Sequence, residues 1–149
     1  QSAVDPLLII HTAATLFLGG LIWTIQVVHY PLFALVGQDQ FAQYERQHQA
    51  RITRVVAPPM VVELVTAFLL LVWTPEEVPY WTLIVGAALV VWIWISTAVE
   101  AVPRHRVLEL GFNDEAHRGL IQANWRRTFL WTVRCGLVLW MLTSTGVST

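Results

Sequence analysis

The chain contains no lysine, one cysteine and few charged residues for its length. Charged residues make up 13% of the 149 positions, against about 25% in an ordinary soluble domain. Because Cys135 stands alone, an internal disulfide and a cysteine-based zinc cage are both excluded. The net charge of −1 gives no indication of nucleic-acid binding. These absences leave a chain in which 56% of the residues are hydrophobic.

The hydrophobic residues are concentrated in four long stretches. Residues 6–38 and 78–99 carry no charge, and residues 55–75 and 128–149 carry one charge each. A transmembrane helix needs roughly 20 apolar residues to cross a hydrocarbon core of about 30 Å. The sequence therefore predicts an all-α integral membrane protein, a four-transmembrane-helix bundle that forms a single domain over residues 1–149. The predicted spans cover residues 6–28, 55–73, 80–102 and 125–142.

The arginines predict the orientation of these spans. Arginines occur between spans one and two and between spans three and four, whereas the connection between spans two and three has only Glu76 and Glu77. Because basic connections stay in the cytoplasm, we expect both termini outside and the protein in the inner (plasma) membrane of a bacterium. The first stretch follows Asp5 and lacks a basic segment, which favours a retained span over a cleaved signal peptide.

The polar connections are expected to form short cytoplasmic amphipathic helices. Residues 39–54 have polar side chains at helical spacing, which fits either an interfacial helix or an extension of span two. A second polar segment covers residues 104–124. Pro58 and Pro59 predict a kink or restart in span two, and Pro103 is predicted to end span three.

Two charged residues, Glu63 and Arg134, lie inside predicted spans. Counting about 1.5 Å per residue places both roughly 10–13 Å from the cytoplasmic edge. A charge at that depth is costly and faces a partner, a cavity or a ligand. Two interpretations stay open: a structural ion pair, or a pair that also binds a ligand or a proton-transfer group.

Other polar and aromatic residues are predicted in the same half of the bundle. On span four, Asn124, Arg127, Thr128 and Trp131 share one helical face that Arg134 extends. Ordinary solvation at the membrane interface is the alternative explanation for part of this pattern. The predicted ligand-binding set is Glu63, Arg134, Arg127, Asn124, Thr128, Gln26, His48, Arg51 and Trp131.

The histidines lack the short spacing of a dedicated metal motif. His11 lies within span one, where it is either a hydrogen-bonded packing residue or an axial haem ligand, since one histidine on a helix suffices for haem. His29, at the end of span one, is a second candidate for haem or metal. A metal site assembled across helices would also use His48, Glu63 or His117.

Three segments resemble the HemJ-type protoporphyrinogen oxidase group of small four-helix membrane proteins. They are His11 with Gly19-Gly20 and His29-Tyr30, the stretch from Arg51 to Val62 with its Pro58-Pro59-Met60, and Leu120 to Asn124. The resemblance covers most of the chain and implies a haem b bound by His11 and a porphyrinogen substrate near the polar face. The family's lysine on span three is absent, and Ser96 and Glu100 stand in that region.

The sequence thus predicts a membrane protein that binds haem, porphyrin or a quinone-like hydrophobic small molecule in a redox role. No catalytic residue is assigned. The alternative is a non-enzymatic accessory subunit of a larger respiratory or photosynthetic complex. Gly19 and Gly20 would then permit close helix contact, either within such a complex or in a homo-oligomer. The lipid bilayer is the other expected partner.

Overall fold

Residues 5–145 are described by a computed structural model, in which the chain is helical. Its four helices are Pro6–Leu35 (α1), Gln38–Val72 (α2), Tyr80–Leu108 (α3) and Asp114–Thr145 (α4). The first three are long and apolar enough to cross a membrane, which is consistent with a membrane protein. Within the described residues α4 is not among the helices that meet this criterion, and it carries Arg134 in its apolar half. The prediction of an all-α fold is confirmed.

The helices pack side by side in a ring. Helix α1 contacts α2 and α4, and α3 contacts the same two helices. Helices α2 and α4 therefore face each other across the interior, rather than as direct neighbours. This arrangement decides how Glu63 on α2 and Arg134 on α4 can meet, because each side chain must reach inward to the centre.

Helices α1 and α3 each contain one turn of π-helix, followed by a proline. In α1 the turn is Ile25–His29 and Pro31 follows; in α3 it is Thr97–Ala101 and Pro103 follows. Each proline lies in the first turn of the resumed α-helix, where its missing N–H is tolerated. The prediction that Pro103 ends span three is therefore wrong, since α3 continues to Leu108.

The predicted amphipathic segments belong to the long helices. Helix α2 runs without interruption from residue 38 to residue 72 and includes Pro58 and Pro59, so residues 39–54 extend span two. A separate interfacial helix there is excluded. On the other side, Asn113 Oδ1 accepts a hydrogen bond of 2.8 Å from the Ala116 amide at the start of α4. Residues 114–124 then continue without a break into the rest of α4.

Apolar side chains from all four helices pack in layers inside the ring. The layer near the start of α1 includes Leu8, Leu70, Leu83 and Met141, the middle layer Leu18, Met60, Ile93 and Trp131, and the third Phe33, Phe41, Leu108 and Leu120. The third layer lies at the end of the ring that bears most of the arginines. Polar side chains gather between these layers, and they form the candidate site.

Gly19 lies at a close approach of α1 to α4. A Cβ atom at Gly19 would overlap Sγ of Cys135, whereas one at Gly20 meets no atom within 4 Å. The close helix contact expected at this glycine pair therefore depends on Gly19 alone.

We expect Gly19→Ala to lower the free energy of unfolding by about 1–3 kcal/mol, because it overpacks the α1–α4 contact. The matched control Gly20→Ala should keep or raise stability, since alanine favours a helix over glycine by about 1 kcal/mol. Adding Cys135→Ala to Gly19→Ala should recover the loss. Unfolding in detergent would measure all three, and equal effects at the two glycines would contradict this packing.

Candidate functional site

Glu63 and Arg134 meet at the centre of the ring. Arg134 Nε lies 3.2 Å from Glu63 Oε2, and both side chains are at most 1% exposed. The carboxylate also accepts hydrogen bonds from the Thr15 hydroxyl at 2.7 Å and from Trp131 Nε1 at 3.2 Å. Both carboxylate oxygens of Glu63 are therefore engaged.

The remaining nitrogens of Arg134 bind the other two helices. Nη1 donates to the Gly86 carbonyl oxygen on α3 at 2.6 Å. Nη2 lies 2.8 Å from His11 Nε2 and 3.1 Å from Thr15 Oγ1, both on α1. A Cβ at Gly86 would stand 3.3 Å from Nη1, so the absence of a side chain there lets the guanidinium approach the backbone. All four helices thus contribute to one buried cluster around Arg134.

The same geometry fixes the tautomer of His11. A guanidinium only donates hydrogen bonds, so Nε2 of His11 accepts from Arg134. Nδ1 then carries the proton and donates to Thr66 Oγ1 at 2.7 Å. That hydroxyl in turn donates to the Val62 carbonyl oxygen at 2.6 Å.

Haem ligation by His11 does not fit this arrangement, because neither ring nitrogen has a free lone pair. Iron could bind Nε2 only if Arg134 released it. Ligation by His11 would thus break the central cluster, and haem binding stays a prediction. A Soret band of the purified protein that is lost in His11→Ala would support it. Among residues 5–145, no group of three His, Cys, Asp or Glu side chains is placed to hold a metal ion.

A second polar cluster joins Gln26, Asn124, Arg127 and Thr97. Asn124 Nδ2 donates to Gln26 Oε1 at 2.6 Å, and Asn124 Oδ1 accepts from Arg127 Nη2 at 2.8 Å. Arg127 Nη1 donates to Thr97 Oγ1 at 3.2 Å. Gln26 lies in the π turn of α1 and Thr97 in the π turn of α3. The two irregular turns therefore meet at one site, as π turns often do at functional positions.

One nitrogen of this cluster has no partner among the described residues. Arg127 is 6% exposed, and its Nε is buried without a hydrogen bond. Arg127 lines a cavity of about 240 Å³ between the four helices. Its walls are mostly apolar, with Ile22, Met60 and Trp131 among them, and the buried Nε1 of Trp94 also lacks a partner there.

The predicted site residues therefore fall into three places. Glu63, Arg134 and Trp131 belong to the central cluster, and Trp131 also lines the cavity. Gln26, Asn124 and Arg127 form the second cluster, whereas the Thr128 hydroxyl donates to the Asn124 carbonyl oxygen of its own helix. His29, His48 and Arg51 line a separate shallow groove between α1 and α2. The predicted polar residues thus do not form one continuous site, since the middle apolar layer separates the central cluster from the second cluster.

Several participants were not among the predicted site residues. Thr15 and Thr66 complete the central cluster, and both follow a predicted polar residue at helical spacing, four after His11 and three after Glu63. That spacing could have identified them. The Gly86 carbonyl and the π-turn Thr97 have no comparable pattern in the sequence.

No family model, curated protein or solved structure matches the chain.

We expect Glu63→Leu to destabilise the protein by about 3–5 kcal/mol, because it leaves the buried Arg134 guanidinium without its counter-charge. The double variant Glu63→Leu with Arg134→Met should recover much of that loss. A loss of stability of about 1–3 kcal/mol is expected to remain in the double variant, since His11 Nε2 loses its hydrogen-bond donor.

Glu76→Leu, at an exposed carboxylate in the connection between α2 and α3, is the control and should change little. Thermal unfolding in detergent measures each variant. If Glu63→Leu behaved like Glu76→Leu, the central cluster would not be a buried ion pair in the folded protein.

Proposed function

We propose that this protein is an integral membrane protein of four spans that binds a hydrophobic aromatic small molecule with a quinone-like oxygen. The ligand would occupy the cavity beside Arg127 and serve a redox role. Both termini would face outward, with the arginine-bearing end of the ring in the cytoplasm. Helix α4 would be the fourth span. Its outward side chains Phe129, Val133, Leu139 and Trp140 are exposed and apolar, which supports contact with lipid.

The observation that carries the proposal is the unpartnered Nε of Arg127. Buried polar groups in folded proteins are nearly always hydrogen-bonded, and leaving a buried charged donor unpaired costs free energy. Nη1 and Nη2 of the same guanidinium are bonded, so the group is held in place while one N–H stays available. A carbonyl or anionic oxygen of a ligand in the cavity would accept the hydrogen bond from this N–H. Trp94 Nε1 is a second available donor on the same wall.

The size and polarity of the cavity favour a small aromatic ligand. An apolar cavity of roughly 150 Å³ can hold benzene, so about 240 Å³ suits one substituted ring. The volume lies below the roughly 300–1,000 Å³ of pockets for drug-sized molecules. A single quinone ring therefore fits the cavity better than a porphyrin macrocycle, which has four pyrrole rings.

A benzoquinone with a short alkyl tail should bind saturably to the purified protein. We expect Arg127→Leu to weaken its affinity about 10–100-fold, because a hydrogen bond from a charged donor contributes about 1.5–3 kcal/mol. Quenching of tryptophan fluorescence by the quinone measures the dissociation constant.

Arg126→Leu is the matched control on the neighbouring position. Arg126 is more than half exposed, is paired with Glu100 and does not line the cavity. Its loss should leave quinone affinity within about twofold of the wild type, well under the 1.4 kcal/mol of a tenfold change. Equal weakening by both substitutions, or no saturable binding, would contradict the proposed site.

A further inference from the structure

Three buried titratable side chains from three helices form a hydrogen-bonded chain at the edge of the cavity. The Tyr30 hydroxyl on α1 lies 3.0 Å from His105 Nε2 on α3. His105 Nδ1 is in hydrogen-bond contact with Glu45 Oε1 on α2. Tyr30 and His105 both line the cavity that contains Arg127, whereas Glu45 is fully buried behind them.

The acceptors in this chain set the direction of its protons. Glu45 Oε1 also accepts a hydrogen bond from Gln49 Nε2 at 3.1 Å, as an ionised carboxylate does. His105 Nδ1 then carries the proton, and Nε2 accepts from the Tyr30 hydroxyl. With its own proton directed at His105, the Tyr30 oxygen is left as an acceptor, and the Arg127 guanidinium and a ligand hydroxyl are the donors on its cavity side. The chain thus leads protons away from the cavity.

We propose that Tyr30, His105 and Glu45 accept a proton from an aromatic hydroxyl bound in the cavity. This inference rests on the proposed ligand site and names the ligand form that the site prefers, a phenol or quinol held as its oxyanion. The ligand hydroxyl gives its proton to the Tyr30 oxygen, the Tyr30 proton moves to His105 Nε2, and the Nδ1 proton moves to Glu45. No electrons move, and one negative charge passes from Glu45 to the ligand oxygen.

The charges around the cavity favour this transfer. Glu45 is 0% exposed and its Oε2 has no hydrogen-bond partner among the described residues, so the carboxyl can take up the proton at Oε1 without losing a hydrogen bond at Oε2. The new oxyanion would lie in the cavity that the Arg127 guanidinium lines, where an opposite charge stabilises the ionised form. The net charge of the site does not change.

Other titratable groups surround the chain on each packed helix. From α4, His117 Nε2 lies 2.6 Å from the Tyr30 carbonyl oxygen. From α2, the His48 ring centre lies 6.4 Å from that of His105, and from α1 the His29 ring centre lies 5.9 Å from that of His48. None of these three imidazoles is hydrogen-bonded to the Tyr30 hydroxyl or to Glu45 in the described structure. Variants in the chain therefore test it without removing them.

The test uses two probes with the purified protein in a neutral detergent: 4-nitrophenol, whose ionisation changes its absorbance, and 4-nitroanisole, which cannot ionise. With the wild type, bound 4-nitrophenol should ionise at a pH at least about one unit lower than with Tyr30→Phe, a tenfold effect. Glu45→Gln should remove the same shift, which keeps the test valid if one variant fails to fold. Both variants should still bind 4-nitroanisole saturably, which shows that the cavity is retained.

Tyr44→Phe is the matched control, because Tyr44 packs against Phe33 outside the chain. It should ionise the probe as the wild type does. If both probes bind but 4-nitrophenol ionises at the same pH in the wild type, Tyr30→Phe and Glu45→Gln, the proton chain is overturned and the ligand site stands. If neither probe binds the wild type, the ligand site and the proton chain are both overturned.

Discussion

The buried guanidinium of Arg134 is the constraint on which the arrangement of the helices depends. A charge removed from water must be paired and its donors must be bonded, or the folded state loses several kcal/mol. Arg134 meets this requirement with a carboxylate from α2, a backbone carbonyl from α3, and an imidazole and a hydroxyl from α1. Since these partners lie on three helices, each helix has one rotation and one height that satisfies the cluster.

Arg127 lies seven residues before Arg134 on the same helix. The two arginines differ in whether every guanidinium nitrogen has a hydrogen-bond partner. Seven residues are about two turns, so both side chains point into the interior. All three nitrogens of Arg134 are bonded, whereas Arg127 keeps Nε unpartnered beside an apolar cavity. The π turn of α3 supplies Thr97, and the π turn of α1 supplies Gln26, which binds Asn124. Asn124 and Thr97 together hold Arg127 while leaving that nitrogen available. Of these two arginines, Arg127 is thus the one suited to a ligand.

Sequence reasoning could predict the helices and the two interior charges, because hydrophobic length and the cost of a buried charge are local properties. It could not predict that α3 passes Pro103, since the π turn that accommodates this proline has no compositional pattern. Nor could it find the contact between Glu45 and His105, which are 60 residues apart and lie in ordinary polar segments. That contact depends on the rotation of α2 and α3 about their axes. The central cluster around Arg134 sets this rotation, although it lies on the other side of the middle apolar layer.

At positions 127 and 134, the geometry of the side chain explains why arginine rather than lysine is present. A lysine ammonium is a point charge with three donors on one atom, whereas a guanidinium spreads five donors over a rigid plane. Arg134 reaches partners on three different helices because its nitrogens point in different directions. In Arg127, Nη1 and Nη2 are hydrogen-bonded while Nε is left without a partner. A lysine has one nitrogen and cannot divide its donors between two directions in this way. A lysine at either position would keep the charge and lose the geometry, so the cluster requires arginine for its shape as much as for its charge.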